Sequence, residues 1–418
     1  MGRPDSKRLL RNLWLIRVMA FTWMFMILMP VVVPFFKSRG LDDGDIFLVQ
    51  SIFSGAVALL EIPTGYVSDL LGRKRTLVLA GALHGVAYSM LPLIDGFWGV
   101  ASFELVAALS VSLYSGTDVA LQYDSLEALG HEAGRRRNLG QRLFWMQAGE
   151  TIAALVGGWL VLSNLQNVAI ANACVGWVPF VIAIFLVDVP IERMGRDDHG
   201  ANLRSIAHEL FRVSPVVRGV LWNLVIYGLA TLLAVWSFQG YWEAMGVPLW
   251  TFGYIWAGYN GVVALTGRVA HRIEERIGTL WSHRLIAWLP VAGYASMALI
   301  YGQEGRSGVW LSLAVAAGLA FQFGRGLTQV ILKDELNQRV PPRMRATANS
   351  VSTLGVRLGF VFLGPLLGAL VDAHGHSVAF HSAAGLYALF AIVVAWPLMR
   401  LMHRDPPPEE LCYVRKRV

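Results

Sequence analysis

Among the ionisable side chains inside long apolar runs, five stand out: Arg17, Asp118, Glu150, Arg325 and Arg357. A charge at the centre of a bilayer costs at least about 2.5–3.5 kcal/mol, so each needs a partner or a wet cavity. Two chemistries suit such groups. A carboxylate in a low dielectric favours its neutral form and can carry a proton, which makes Glu150 and Asp118 the candidates for proton coupling. A guanidinium grips carboxylates or phosphates in a bidentate fork, which makes Arg325 and Arg357 the candidates for holding an anionic or zwitterionic ligand. Polar neighbours recur at helical spacing around them: Gln322, Arg325 and Gln329; Asn349, Thr353 and Arg357; Ser115, Asp118 and Gln122; and Gln147 close to Glu150. Gln322, Gln147, Thr353, Trp145 and Tyr259 complete the expected ligand surface. Trp23, Trp236, Tyr241 and Trp256 join Trp145 and Tyr259 in an aromatic set that fits an amphiphilic organic ligand better than an inorganic ion. The static alternative is that Asp118 with Arg17, and Glu150 with the two arginines, only bridge helices.

Other chemistry is missing from the pattern. No P-loop, H-E-x-x-H, G-x-S-x-G or C-x-x-C occurs. Cys174 and Cys412 are the two cysteines, too few for a disulfide framework or a cysteine zinc site. His84 is expected to be packed, and His374, His376 and His381 are not read as a metal site. The expectation is neither an enzyme nor a cofactor protein.

The elements that must position these residues follow from composition. Of 418 residues, 55% are hydrophobic and 15% charged, with a mean hydropathy of +0.52; soluble domains average about 25% charged. A helix crosses a bilayer in about 20 residues. Twelve intervals qualify: 12–36, 46–70, 75–94, 97–126, 138–163, 167–188, 215–242, 248–271, 279–302, 308–337, 346–371 and 377–402. Counted with the interval ends beside them, the N-terminus, the connections near 73–75, 135–142, 193–218, 268–284 and 333–345, and the segment from Arg400 hold 29 of the 35 Lys and Arg residues, against three (Lys37, Arg39, Arg306) on the other side and three (Arg17, Arg325, Arg357) deeper within intervals. The asymmetry puts both termini in the cytoplasm. It also accounts for the net charge of +7 by topology, so no nucleic-acid partner is expected. The divisions are a first half over 1–188, a cytoplasmic linker over 189–214, a second half over 215–404 and a tail over 405–418.

The connection between the second and third intervals reads Gly65-Tyr66-Val67-Ser68-Asp69-Leu70-Leu71-Gly72-Arg73-Lys74-Arg75. It resembles the G-x-x-x-D-R-x-G-R-R/K motif of the major facilitator superfamily, with Leu70 where that family usually has Arg. Gly65 is expected to allow close helix approach and Gly72 a tight turn. Asp69 is expected to meet a cation or a helix N-terminus, and Arg73 to clamp an acid. Asp124, in Tyr123-Asp124-Ser125-Leu126, is that acid. Gly65, Asp69, Gly72, Arg73, Lys74 and Asp124 form the expected gating set. Gly267, His271, Arg272 and Gly278 form a worn copy in the second half. Gly149-Glu150 through Gly157-Gly158 is similar to the G-x-x-x-G-P-x-x-G-G motif of antiporters, with Ala153 and Ala154 replacing the second Gly and the Pro; Gly364-Pro365 with Gly368 is a partial echo. Glu61-Ile62-Pro63-Thr64-Gly65 resembles drug and small-molecule exporters of the same superfamily.

The resemblance implies an all-α polytopic membrane protein of twelve transmembrane helices in two pseudo-symmetric six-helix halves. It implies a secondary active transporter that moves a small organic molecule by alternating access, with proton-coupled export (antiport) as the first reading. Import or uniport of an anionic metabolite is the alternative. A transporter-like sensor would need a signalling domain, which the linker and tail do not offer. The expected partners are a small-molecule substrate, protons and the lipid bilayer, with the chain a monomer in the inner (cytoplasmic) membrane.

Overall fold

The computed structural model describes residues 6–131, 134–189, 214–302, 308–341 and 344–404. The tail expected over 405–418, Arg306, and the linker expected over 189–214 apart from its two end residues lie outside them. All regular structure among the described residues is helical.

The first part runs through α1 (Ser6–Trp23), a 3-10 turn at Met29–Val31, α2 (Val32–Ser38), α3 (Asp43–Leu71), α4 (Arg73–Met90), α5 (Gly96–Tyr114), α6 (Thr117–Ala128), α7 (Arg135–Leu160), α8 (Leu165–Gly176) and α9 (Val178–Ile184). The second runs through α10 (Pro215–Ala244), α11 (Phe252–Ile277), α12 (Thr279–Tyr301), α13 (Gly308–Ala317), α14 (Leu319–Leu327), a π turn at Thr328–Leu332, α15 (Lys333–Arg339), α16 (Arg345–Phe390), a second π turn at Ala391–Ala395 and α17 (Trp396–Arg404). Local chemistry sets the ends. Asp42 caps α3, its carboxylate accepting from the Asp45 amide at 2.7 Å, and Ser214 caps α10 with Pro215 at its first position.

Each interval expected from hydropathy holds helix, but several are interrupted. Pro30 and Pro34 sit where the first interval breaks into a 3-10 turn and α2, and Pro179 opens α9 after a break at Trp177. α16 is interrupted at Gly375, whose φ is 77°. Among the described residues, seven helical stretches are long and apolar enough to cross a membrane: Asp43–Glu61, Gly96–Ala128, Leu165–Ile184, Pro215–Ala244, Thr279–Tyr301, Gly308–Arg339 and Thr347–Met402.

The described residues fall into two compact units: 6–189 together with Pro248–Gly258, and 214–247 together with 259–404. The first unit packs Ile16, Met19, Trp23, Leu77, Ala80, Leu113, Leu121 and Leu186 into one core. The second is built on aromatic rings. Tyr294 stacks on Tyr387 at 5.6 Å and meets Phe321 edge-on at 4.7 Å, while Phe238 stacks on Trp242 at 5.6 Å. Such ring pairs add about 0.5–1.5 kcal/mol each beyond area burial.

Candidate functional site

The first unit collects most of the expected chemistry around a broken helix. The sequence reads 97–126 as one span with Ser115, Asp118 and Gln122 on a continuous face. The chain instead leaves the helical path at Ser115 and restarts at α6, with Gly116 at φ 78°. Only glycine adopts that conformation without a steric penalty. The break puts Asp118 in the first turn of α6, where unpaired backbone N–H groups and the helix dipole favour a negative charge.

Asp118 is fully buried and pairs with Arg142 of α7, which is 8% exposed and donates from Nε to Asp118 Oδ2. Two readings change. Arg142 counts in the sequence as a topological loop arginine, yet it is a buried partner one to two turns inside α7. Arg17, the partner considered for Asp118, donates instead to Asn138 Oδ1 at 2.8 Å. Gln122 donates to the Asn138 backbone oxygen at 3.3 Å, so Arg17, Gln122 and Asn138 extend the polar cluster. Trp23 lies flat on Tyr114 at 3.8 Å and on His84 at 4.4 Å, an apolar wall that occupies both Trp23 and His84 in packing.

Close to this end, Asp69, Arg73 and Asp124 come together. Arg73 donates to Asp69 at 2.6 Å and to Ser68 at 2.9 Å, and its Nε lies 3.6 Å from Asp124. Asp188, at the end of the sixth interval, accepts the Lys74 amide at 2.7 Å and so caps α4. Its carboxylate lies 3.2 Å from where a Cβ at Gly72 would stand. The role expected for Gly65 is corrected: no atom lies within 4 Å of a Cβ there. The neighbouring Thr64 makes the interhelical contact, donating to the Ser112 carbonyl at 2.9 Å.

Glu150 lies part-buried on α7 and accepts from Trp256 Nε1 at 3.1 Å. Its surroundings explain the small residues beside it. A Cβ at Gly149 would run into the Phe21 carbonyl, one at Gly157 into the Ile27 carbonyl, and one at Gly253 into the Ala154 carbonyl. The Gly149–Gly158 segment is therefore a backbone-to-backbone contact surface, and it is what draws Pro248–Gly258 into the first unit. Gln147 and Trp145 are exposed, with Trp145 edge-on to Phe21 at 6.1 Å. Glu104, the only charged residue on α5, is a buried acid that the sequence reading passed over; it accepts from Gln50 at 2.5 Å. Its solitary place among apolar residues was the available signal.

In the second unit Arg325 is part-buried on α14 and Gln322 is 3% exposed. The π turn begins at Thr328 and widens the helix by a residue per turn. Gln329 is exposed while Gln322 is buried, so the expected single stripe does not hold. Arg357 is part-buried on α16 and Thr353 exposed, its hydroxyl donating to the Asn349 carbonyl at 3.1 Å. Tyr259, expected to line a ligand surface, is a packing residue. It is 3% exposed, its hydroxyl donates to the Val315 carbonyl at 2.6 Å, and its ring meets Phe238 and Trp242 edge-on at 5.3 and 5.6 Å. No group of three or more His, Cys, Asp or Glu side chains that could hold a metal ion occurs among the described residues.

The arrangement in the first unit holds a buried carboxylate and a guanidinium in a direct pair. The comparisons with known proteins bear on what that serves. A model of the Major Facilitator Superfamily matches residues 13–355. Among curated proteins, the oxalate:formate antiporter of Oxalobacter formigenes is 27% identical over 173 residues, which span 39% of this chain and 38% of that protein. Among solved structures, the nucleoside transporter NupG superposes with a TM-score of 0.74 at 13% identity, over 94% of this chain and 99% of that one. A POT family transporter in complex with 5-aminolevulinic acid gives 0.72 at 11% identity, over 92% and 95%. A bacterial homolog of the human lysosomal transporter Spinster gives 0.66 at 17% identity, over 97% and 98%.

Proposed function

Because the chain belongs to the major facilitator superfamily, a family of transporters rather than enzymes, we propose that it is a secondary active transporter of a small organic anion or zwitterion, working as a proton-coupled exporter. In this reading twelve helices form two six-helix halves, divided as 1–188 and 215–404 around the 189–214 linker. Both termini and the 405–418 tail are cytoplasmic, and the monomer alternates access across the inner membrane.

The observation that carries the coupling is the Asp118–Arg142 pair, 0% and 8% exposed, at the start of a helix that the chain breaks to form. Protonating Asp118 removes the charge that holds Arg142, so the pair has two states that a proton selects. Glu150, held by Trp256, is the second carboxylate of the set. Arg325 and Arg357, with Gln322, Gln147, Thr353 and Trp145, are the substrate groups; Tyr259 is withdrawn from that set. Asp69, Arg73 and Asp124 form the latch of the gate, with Gly72 and Lys74 held against Asp188.

The test is flux in proteoliposomes under an imposed pH gradient, across a panel of carboxylates, amino acids and nucleosides. Asp118→Asn should retain counterflow of the substrate and lose pH-driven transport. Unchanged proton dependence in both Asp118→Asn and Glu150→Gln refutes the coupling. A second reading, exchange of one carboxylate for another without protons, is favoured by the stretch shared with an oxalate:formate antiporter. It predicts counterflow that is indifferent to the pH gradient in the unaltered protein.

A further inference from the structure

The second unit carries a cleft that shares no residue with the proposed transport site. It has a volume of about 660 Å³ and is lined by Ile277, Trp281, Arg284, Leu285 and Trp288. Gly278, at φ 83°, turns the chain sharply between α11 and α12, so the last residue of α11 lies beside the first turns of α12. Four of the five lining residues are apolar, and the fifth is a cation.

That cation is arranged with unusual regularity. The Arg284 guanidinium carbon stands 4.5 Å over the Trp281 ring and 5.5 Å over the Trp396 ring of α17. Arg400, one turn further along α17, stands 5.7 Å over the same Trp396 ring. Two arginines and two indoles therefore alternate across α12 and α17. Among the described residues neither arginine is recorded in an ion pair, and Arg284 Nε is buried with no hydrogen-bond partner. Two acids precede the turn: Glu274 is buried and accepts from the Thr279 hydroxyl at 3.1 Å, and Glu275 is exposed. The apolar surface is open instead: Trp281 is 61% exposed, Trp288 46% and Trp396 45%.

On a chain that spans a membrane these features have a specific meaning. α12 is one of the apolar spanning helices, beginning at Thr279, so Trp281 and Arg284 occupy its first two turns and Trp288 lies deeper. Indoles at that depth sit at the lipid–water boundary. A guanidinium there offers a planar fork to a phosphate, and basic pockets between spanning helices hold anionic headgroups. We propose that the cleft binds one anionic phospholipid of the bilayer, its phosphate on Arg284 with Arg400 beside it and an acyl chain along Leu285 and Trp288. A free phosphate would leave the apolar lining unused. A zwitterionic headgroup would bring its cation against two arginines, and the Trp281 and Trp396 faces are already covered by guanidinium.

The full-length protein in detergent is titrated with phosphatidylglycerol or phosphatidylcholine, with retained lipid counted by native mass spectrometry and thermal unfolding followed alongside. Phosphatidylglycerol should be retained in preference to phosphatidylcholine. Arg284→Gln should weaken it by roughly tenfold, as expected for losing a hydrogen bond of about 1.5 kcal/mol to a charged group. Arg284→Lys should weaken it less, and Arg218→Gln, an exposed arginine on α10, should leave it unchanged. Equal retention of the two lipids, or equal loss in Arg284→Gln and Arg218→Gln, overturns the proposal. So does displacement by millimolar glycerol phosphate, which would mean a site for a soluble anion. If Arg284→Gln does not fold, the Arg284→Lys and glycerol-phosphate arms decide alone.

Discussion

The buried pair of the first unit makes the sharpest prediction. Asp118 has a side chain 1% exposed and Arg142 one 10% exposed, joined directly. Removing one member strands the other charge away from water, which typically costs about 3–5 kcal/mol. Removing both leaves no stranded charge, and such replacements are often close to neutral. For a folding unit of 150–250 residues, each kcal/mol moves the midpoint by roughly 2–4 °C. Arg142→Gln should therefore lower the unfolding midpoint in mild detergent by about 6–20 °C, read by tryptophan fluorescence. The double variant Asp118→Asn/Arg142→Gln should recover at least half of that loss. The excess over additivity is the coupling, and values of about 0.5–3 kcal/mol are usual for groups in contact. If the double variant loses as much as the two single variants added together, the two groups do not act as a pair, and the coupling argument built on them fails.

Three further outcomes follow from contacts elsewhere in the protein. Tyr259→Phe removes a hydroxyl that donates to Val315, so stability should fall by about 0.5–1.5 kcal/mol while the KM for any transported substrate stays the same; a changed KM would return Tyr259 to the ligand surface. Gly253→Val pushes a side chain into the Ala154 carbonyl and the Gly158 backbone; overpacking of about 1–3 kcal/mol should appear as faster labelling of a cysteine placed at Thr251 in the Pro248–Gly258 segment, and unchanged labelling would contradict the contact. Asp124→Asn weakens the hold on Arg73 and should raise alkylation of a cysteine placed at Ser68, with Asp69→Asn acting in the same direction. Protection unchanged in both would show that the three residues do not latch.

Two kinds of feature are legible in the sequence. The helical intervals were legible because transfer of apolar residues out of water is a property of each segment, summed along the chain. Asp69 and Arg73 were legible through the resemblance to a family motif, and Asp124 as the acid that resemblance implies. The interruptions were less so. Gly116 is one of 42 glycines, and nothing in its neighbours distinguishes a helix break from a glycine packed within a helix. The Gly149–Gly158 segment was visible as a motif, but its contact surface, the Phe21, Ile27 and Gly253 backbone, was not.

The sequence by itself determined which segments leave water, that the chain carries its basic surplus on alternate connections, and that a few charges must be reconciled with an apolar setting. Only the tertiary structure decided how those charges are reconciled. Arg142 reads as one more loop arginine and proves to be the partner of Asp118, while Tyr259 reads as a ligand contact and proves to be core. The reason is physical. Burial of apolar area is additive along a chain, so pattern suffices to estimate it. The energy of a buried charge or hydroxyl depends on what stands within a few ångströms, and those neighbours come from helices 24 residues away for Arg142 and 56 for Tyr259.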